Sequence, residues 1–154
     1  MLLRTMADEA HAPKYAHIER ERRWLVRTGA TPEDAATRCI RIEDRYIDGT
    51  RLRLRRMTDL ASGASALKLT RKYDSADPLA RPIVKRRYEV RSGPHVYWLD
   101  RFDGALAGLA LAEIECVDAH DLHAVTLPDW AARDVSHESR YEGGSLARNG
   151  LPQE

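Results

Sequence analysis

A run of five charged residues, Glu19-Arg20-Glu21-Arg22-Arg23, leads directly into Trp24-Leu25-Val26, and it restricts the fold more than any other stretch. In a β-strand, successive side chains alternate between two faces. Glu19, Glu21 and Arg23 then share one face, and Arg20 and Arg22 take the other. Two carboxylates and a cation in a row make a poor hydrophobic core face. They suit the lining of a wet site that holds a metal and an anion together. The same two-residue period returns downstream with the charges rearranged: Arg51, Arg53 and Arg55; Lys68, Thr70 and Lys72; Lys85 and Arg87; Glu113 and Glu115. A series of strands, each turning charge inward, predicts a polar tunnel.

The turn chemistry separates these strands. Residues 16–27 read as the first strand. Thr31-Pro32-Glu33-Asp34 opens a short helix over 32–38, with Thr31 as N-cap and Pro32 at the first helical position. Residues 39–48 alternate up to Asp48-Gly49, a hairpin signal, and 50–58 form the return strand. Ser62-Gly63 turns the chain into a strand at 65–73. An irregular connection with two prolines, Tyr73 to Pro82, follows. Strands at 83–91, 95–102 and 108–117 come next, the first two joined at Ser92-Gly93-Pro94. Asp118 to Asp134 reads as short helical turns, and the polar stretch 135–154 as loosely packed. Seven antiparallel strands with hairpin turns predict a barrel-like domain.

Composition limits the partners. The 154 residues fit one domain. With 25 basic against 24 acidic residues the formal net charge is +1, which argues against a nucleic-acid coat. The basic residues are mostly arginine, with four lysines (Lys14, Lys68, Lys72 and Lys85), and the planar guanidinium fork suits phosphate oxygens. No apolar run is long enough for a membrane span. Cys39 and Cys116 have no metal-ligand spacing and read as ordinary strand cysteines of a reducing cytoplasm. His120 and His123 lack a third ligand at a suitable spacing. Trp24, Trp98 and Trp130 read as core or shell residues.

A phosphate chain needs cations on several sides and a divalent metal to neutralise the remainder. Magnesium and manganese take oxygen ligands, usually carboxylates together with substrate oxygens and water. The acids here sit at the two ends of the β region, Glu19 and Glu21 in the first strand and Glu113 and Glu115 in the last. Closing a barrel brings those strands together and gathers four carboxylates around one point. Each acid pair alone also fits a solvated strand face answering arginines on its neighbour. That reading weakens when every strand repeats the pattern.

Glu19-x-Glu21-x-Arg23 with its trailing Trp-Leu-Val resembles the ExExK signature of CYTH domains, the triphosphate tunnel metalloenzymes. The resemblance continues in order through Arg53-Leu54-Arg55, Leu69-Thr70-Arg71-Lys72, Lys85-Arg86-Arg87-Tyr88-Glu89-Val90, Asp100-Arg101-Phe102 and Gly108 to Glu115. Leu127-Pro128-Asp129-Trp130 and the Tyr141 to Ala147 stretch also look like the family's C-terminal segment. It implies an eight-stranded antiparallel tunnel that binds a linear triphosphate. Glu19, Glu21, Glu113 and Glu115 would then hold Mg2+ or Mn2+, and Arg53, Arg55, Lys72, Lys85 and Arg87 would grip phosphate oxygens. Glu19, Glu21 and Arg23 would be the catalytic set. Two departures stand out. Arg23 replaces the usual lysine and cannot become a neutral base. The short Tyr73–Pro82 connection replaces a further acidic strand, so a tunnel of seven clear strands is expected to stay open beside the strand at 65–73 or the one at 83–91.

The expected fold is therefore α+β and mainly antiparallel β: a CYTH-like tunnel, incomplete, with short peripheral helices. The domain spans 16–148, with 1–15 a disordered N-terminal segment and 149–154 a flexible tail. The expected function is metal-dependent hydrolysis of a triphosphate, inorganic triphosphate first. Adenylate cyclisation and thiamine triphosphate hydrolysis belong to the same family repertoire. A non-catalytic polyphosphate or polyanion binder is the rival from another class. Pairing of the open edge with a second copy, giving a homodimer, is one way to fill the gap.

Overall fold

A computed structural model describes residues 20–47, 50–71, 81–116 and 118–153. Glu19, Lys72, the Asp48-Gly49 turn, the 1–15 segment and most of the Tyr73–Pro82 connection lie outside the described residues. The strands are β1 (Glu21–Val26), β2 (Arg38–Tyr46), β3 (Leu52–Asp59), β4 (Ser65–Arg71), β5 (Ile83–Ser92), β6 (His95–Asp103), β7 (Ala110–Glu115) and β8 (Ala131–Asp134). Two short helices, α1 (Ala119–Ala124) and α2 (Gly143–Asn149), complete the α+β architecture.

All eight strands form one antiparallel sheet in the order β4-β3-β2-β5-β6-β7-β1-β8. The expectation of seven strands is corrected by β8, in a stretch read as helical turns. Its sequence, Ala-Ala-Arg-Asp, carries no strand signal of its own. It pairs with the side of β1 that β7 leaves open, across a register shift between Leu25 and Val26. The sheet does not close among the described residues, and its edges are β4 and β8. The opening therefore borders β4 as one alternative had it, but not the strand at 83–91: β5 is interior, bonded to β2 on one side and β6 on the other.

Two smaller expectations also change. The helix read at 32–38 is a single 3-10 turn, Pro32–Ala35. Thr31 does not cap a backbone N–H there, because its hydroxyl donates to the Asp34 carboxylate at 2.7 Å. The stretch read as loosely packed, 135–154, is tightly packed over 135–147. Val135, Tyr141, Leu146 and Ala147 are buried with Ile83, Phe102 and Leu111 in one cluster, which holds α2 against the sheet.

Strand alternation assigns the two faces. On one, Trp24, Tyr97, Leu99, Ala112 and Ile114 are buried, covered by Val125 and Ala131 from the chain after α1. Arg22 lies on this face too. Its guanidinium stacks 4.9 Å from the Trp24 ring centre and donates to Asp134 at 2.6 Å. The opposite face carries the charges that the sequence pattern turned inward.

Candidate active site

That second face borders a cavity of about 650 Å3. Strand parity brings Glu21 and Arg23 of β1, Arg53 and Arg55 of β3, Lys85 and Arg87 of β5, and Glu113 and Glu115 of β7 to its wall. First and last expected strands are indeed neighbours: Glu21 faces Glu115 and Arg23 faces Glu113 across the β1–β7 pair. Glu19 and Lys72, the remaining members of the expected set, are not among the described residues.

The cations are held by carboxylates, two of which the sequence reading did not select. Asp100 on β6 is 1% exposed. It accepts from Lys85 Nζ at 2.5 Å and from both Nε and Nη2 of its register partner Arg87 at 2.7 Å. Burial raises the Asp100 carboxyl pKa, but the two cations outweigh it and hold the group well below the usual carboxylate range. The ammonium of Lys85 feels burial most strongly and is drawn below the ordinary lysine value, although Asp100 opposes the shift. For Arg87 burial also pulls downward, and Asp100 and Glu113 more than reverse it.

The network extends from there to β1. Arg87 Nη2 donates to Glu113 Oε2 at 2.8 Å, and Arg23 Nε donates to Glu113 Oε1 at 2.9 Å. Arg23 also donates to Glu21. Burial lowers the Arg23 pKa, but Glu113 and Glu21 raise it further, so this guanidinium stays charged. Glu113 is pushed up by burial and brought below its ordinary value by Arg87, Lys85 and Arg23, with Asp100 opposing.

The second anchor is Asp44 on β2, 3% exposed. Its two oxygens accept from Nε and Nη2 of Arg55, both at 2.7 Å, in a side-on bidentate pair. Arg53 Nη1 lies 4.0 Å away. Burial works against the Asp44 carboxylate, yet Arg55 and Arg53 bring its pKa below normal. Tyr46, two residues on, shares the cavity face, and burial raises its phenol pKa.

The C-terminal segment forms the remaining wall. Tyr141 and Leu146 seal the apolar part, while Glu142 and Arg148 bring charge to it. A Cβ at Gly143 would lie 2.9 Å from Tyr46 Oη, so a residue without a side chain lets this segment come so close. Expectations for the aromatic residues divide: Trp24 is core at 0% exposure, whereas Trp98 lines the cavity.

Among the described residues no group of three His, Cys, Asp or Glu side chains could hold a metal ion. What the wall does offer is Glu21 and Glu115, hard oxygen donors on facing register positions. Magnesium sites commonly use one or two carboxylates and take the other ligands from phosphate and water. The donor set fits such an ion, with a phosphate substrate as co-ligand. No helix among the described residues is long and apolar enough to cross a membrane.

No family model matches the chain. The inorganic triphosphatase of Acetivibrio thermocellus is 31% identical over 70 residues, covering 45% of this chain and 44% of that protein. The chain thus matches less than half the length of this curated relative. Among solved structures, the inorganic triphosphatase NE1496 superposes with a TM-score of 0.63 at 22% identity, covering 90% of this chain and 99% of that one. A further structure of NE1496, described as a hypothetical protein, gives 0.60 at 23% identity, with 88% and 100% covered. The chain has the fold of these structures, and that agrees with the resemblance drawn from its motifs.

Proposed function

We propose that this chain hydrolyses a linear triphosphate, inorganic triphosphate first, with a divalent metal ion. The observation that carries the reading is the cavity wall. Arg23, Arg53, Arg55, Lys85 and Arg87 converge on one space beside Glu21 and Glu115, in a fold shared with an inorganic triphosphatase.

Phosphoryl transfer asks a protein for positioning and charge stabilisation rather than covalent chemistry. The buried anchors supply the positioning. Asp44 takes one edge of the Arg55 guanidinium and leaves its other N–H groups for phosphate oxygens. Asp100 likewise takes one edge of Arg87, whose Nη2 also donates to Glu113, and it fixes Lys85 beside it. These cations are therefore oriented before substrate arrives, which removes reorganisation from the reaction. Arg23 remains protonated, so it stabilises charge and takes no proton from water.

Glu21 and Glu115 would hold the ion, with Glu19 and Glu113 as the other acids of the proposed set. A bound Mg2+ or Mn2+ spreads the phosphate charge and favours ionisation of water at neutral pH. The carboxylates that line the same space accept the proton as water attacks the terminal phosphorus in line with the leaving oxygen. The protein works in the cytoplasm on this reading, which the two free thiols, Cys39 and Cys116, support.

The test is phosphate release from inorganic triphosphate with magnesium or manganese, with and without a chelator. Turnover that the chelator abolishes is the expected result. Triphosphate plus metal should also raise the melting temperature by mass action. Binding and thermal stabilisation without phosphate release would favour the polyanion-binding reading instead.

A further inference from the structure

We infer that the Thr70 hydroxyl is a substrate-binding group, which receives an oxygen at the end of the phosphate chain together with Arg53 Nε. The inference rests on the proposed triphosphate site and extends it to a residue to which no role has been given.

Two buried polar atoms on neighbouring strands are unsatisfied. Nearly all buried polar groups in native proteins are hydrogen-bonded, so each exception calls for an explanation. Arg53 Nε and Thr70 Oγ1 are both closed from solvent, and neither has a hydrogen-bond partner among the described residues. They are not scattered. Arg53 and Thr70 are register partners on β3 and β4. Strand parity turns both side chains to the cavity face, and Arg53 lines the cavity directly.

The Arg53 guanidinium faces Asp44 and its register partner Tyr46. Its Nη1 is 4.0 Å from Asp44, a looser contact than the 2.7 Å pair that Asp44 makes with Arg55. Arg53 is thus less firmly held by Asp44 than Arg55 is, and its Nε–H has no acceptor among the described residues. The neighbouring hydroxyl can both donate and accept. An N–H donor and an O–H donor side by side, with a guanidinium charge behind them, match the oxygens of a tetrahedral oxyanion. A phosphate oxygen brought to this pair of register partners would satisfy both atoms at once. In the sheet order this corner lies on the flank opposite Glu21 and Glu115, so it would bind the end of the chain away from the acid pair.

The experiment uses the full chain carrying Thr70→Val, which keeps the shape and removes the hydroxyl, and Thr70→Ser, which restores it. Without ligand, Thr70→Val should melt at or above the wild-type temperature, because it removes a buried polar group that has no partner. With triphosphate and magnesium, its KM should rise about five- to tenfold with little change in kcat. Its triphosphate-induced melting shift should shrink, and Thr70→Ser should recover both. A Thr70→Val protein that melts lower and keeps wild-type KM would overturn the inference, and assign the hydroxyl to the packing of the fold. Wild-type turnover in that experiment keeps the two claims apart: its absence defeats the triphosphatase reading, whereas normal wild-type turnover with an unaffected Thr70→Val defeats only the role of Thr70.

Discussion

The two flanks of the sheet are built differently. In the β5-β6-β7-β1 flank both faces are covered. Leu99 and Asp100, successive residues of β6, point to opposite sides and are 0% and 1% exposed. In the β3-β4 flank only the cavity face is put to use. Leu67 and Leu69 stand on the other side of β4 at 66% and 60% exposure, and Leu54 beside them on β3 at 37%. The ion pairs divide less sharply: Asp100 holds its two cations at 2.5 to 2.7 Å and Asp44 holds Arg55 of β3 at 2.7 Å, whereas Arg53 of β3 reaches Asp44 only at 4.0 Å. One flank is a packed platform that fixes charges. The other is a thin leaf, in which Arg53 Nε and Thr70 Oγ1 have no hydrogen-bond partner among the described residues. A site that must seize and then release a polyanion can use both, since the rigid cations define the place of attack and the leaf adapts to the chain.

The largest effect should come from breaking the platform. Asp100→Ala strands the buried Lys85 ammonium and leaves Arg87 with Glu113 alone, and it should cost about 3–5 kcal/mol in denaturant unfolding. Leu99→Ala, one residue away on the opposite face, should cost about 2–5 kcal/mol by opening a cavity. Loss of activity in Asp100→Ala without loss of stability would show that the carboxylate is not a structural anchor. Next comes Glu21→Gln, which keeps the shape and removes the charge a hard cation needs. Altering residues that merely support metal ligands costs about 10–100-fold, so turnover at limiting magnesium should fall at least that far. Unchanged turnover would remove Glu21 from the metal set.

Acid should then release the anchoring carboxylates. Asp100, Asp44 and Glu113 all have folded pKa values below their ordinary ones. Their stabilisation is complete above the unfolded carboxyl values, near pH 4, and is lost as the pH falls through the folded ones. Melting temperature should therefore fall steadily below about pH 4, and hydrogen exchange should show β5 and β6 losing protection in that window. The smallest effect is expected in the leaf. Leu67→Ala should change stability by about 0.5 kcal/mol or less, because little apolar area leaves water there to begin with. A cost approaching that of Leu99→Ala would mean that something covers the outer face of β4 in solution.

Much of this was legible in the sequence. Alternation placed Glu21, Arg23, Arg53, Arg55, Lys85, Arg87, Glu113 and Glu115 on one face, because the period of a strand is two wherever it lies in the sheet. The turn at Gly93-Pro94 even set one register: a two-residue connection pairs Ser92 with His95 and so puts Asp100 opposite Arg87. Asp100 was open to discovery by that count. Asp44 was less so. A two-residue turn at Asp48-Gly49 would set it opposite Arg53, and the observed register, two residues longer, sets it opposite Arg55. Tertiary structure alone decided the rest. Ala131–Asp134 is a strand because β1 offers an unpaired edge, not because its residues prefer one. The polar C-terminal stretch packs because Tyr141, Leu146 and Ala147 find Ile83 and Phe102 beneath them. Which of the inward charges are held tightly and which loosely depends on distances between strands far apart in the chain, and local pattern carries no record of those.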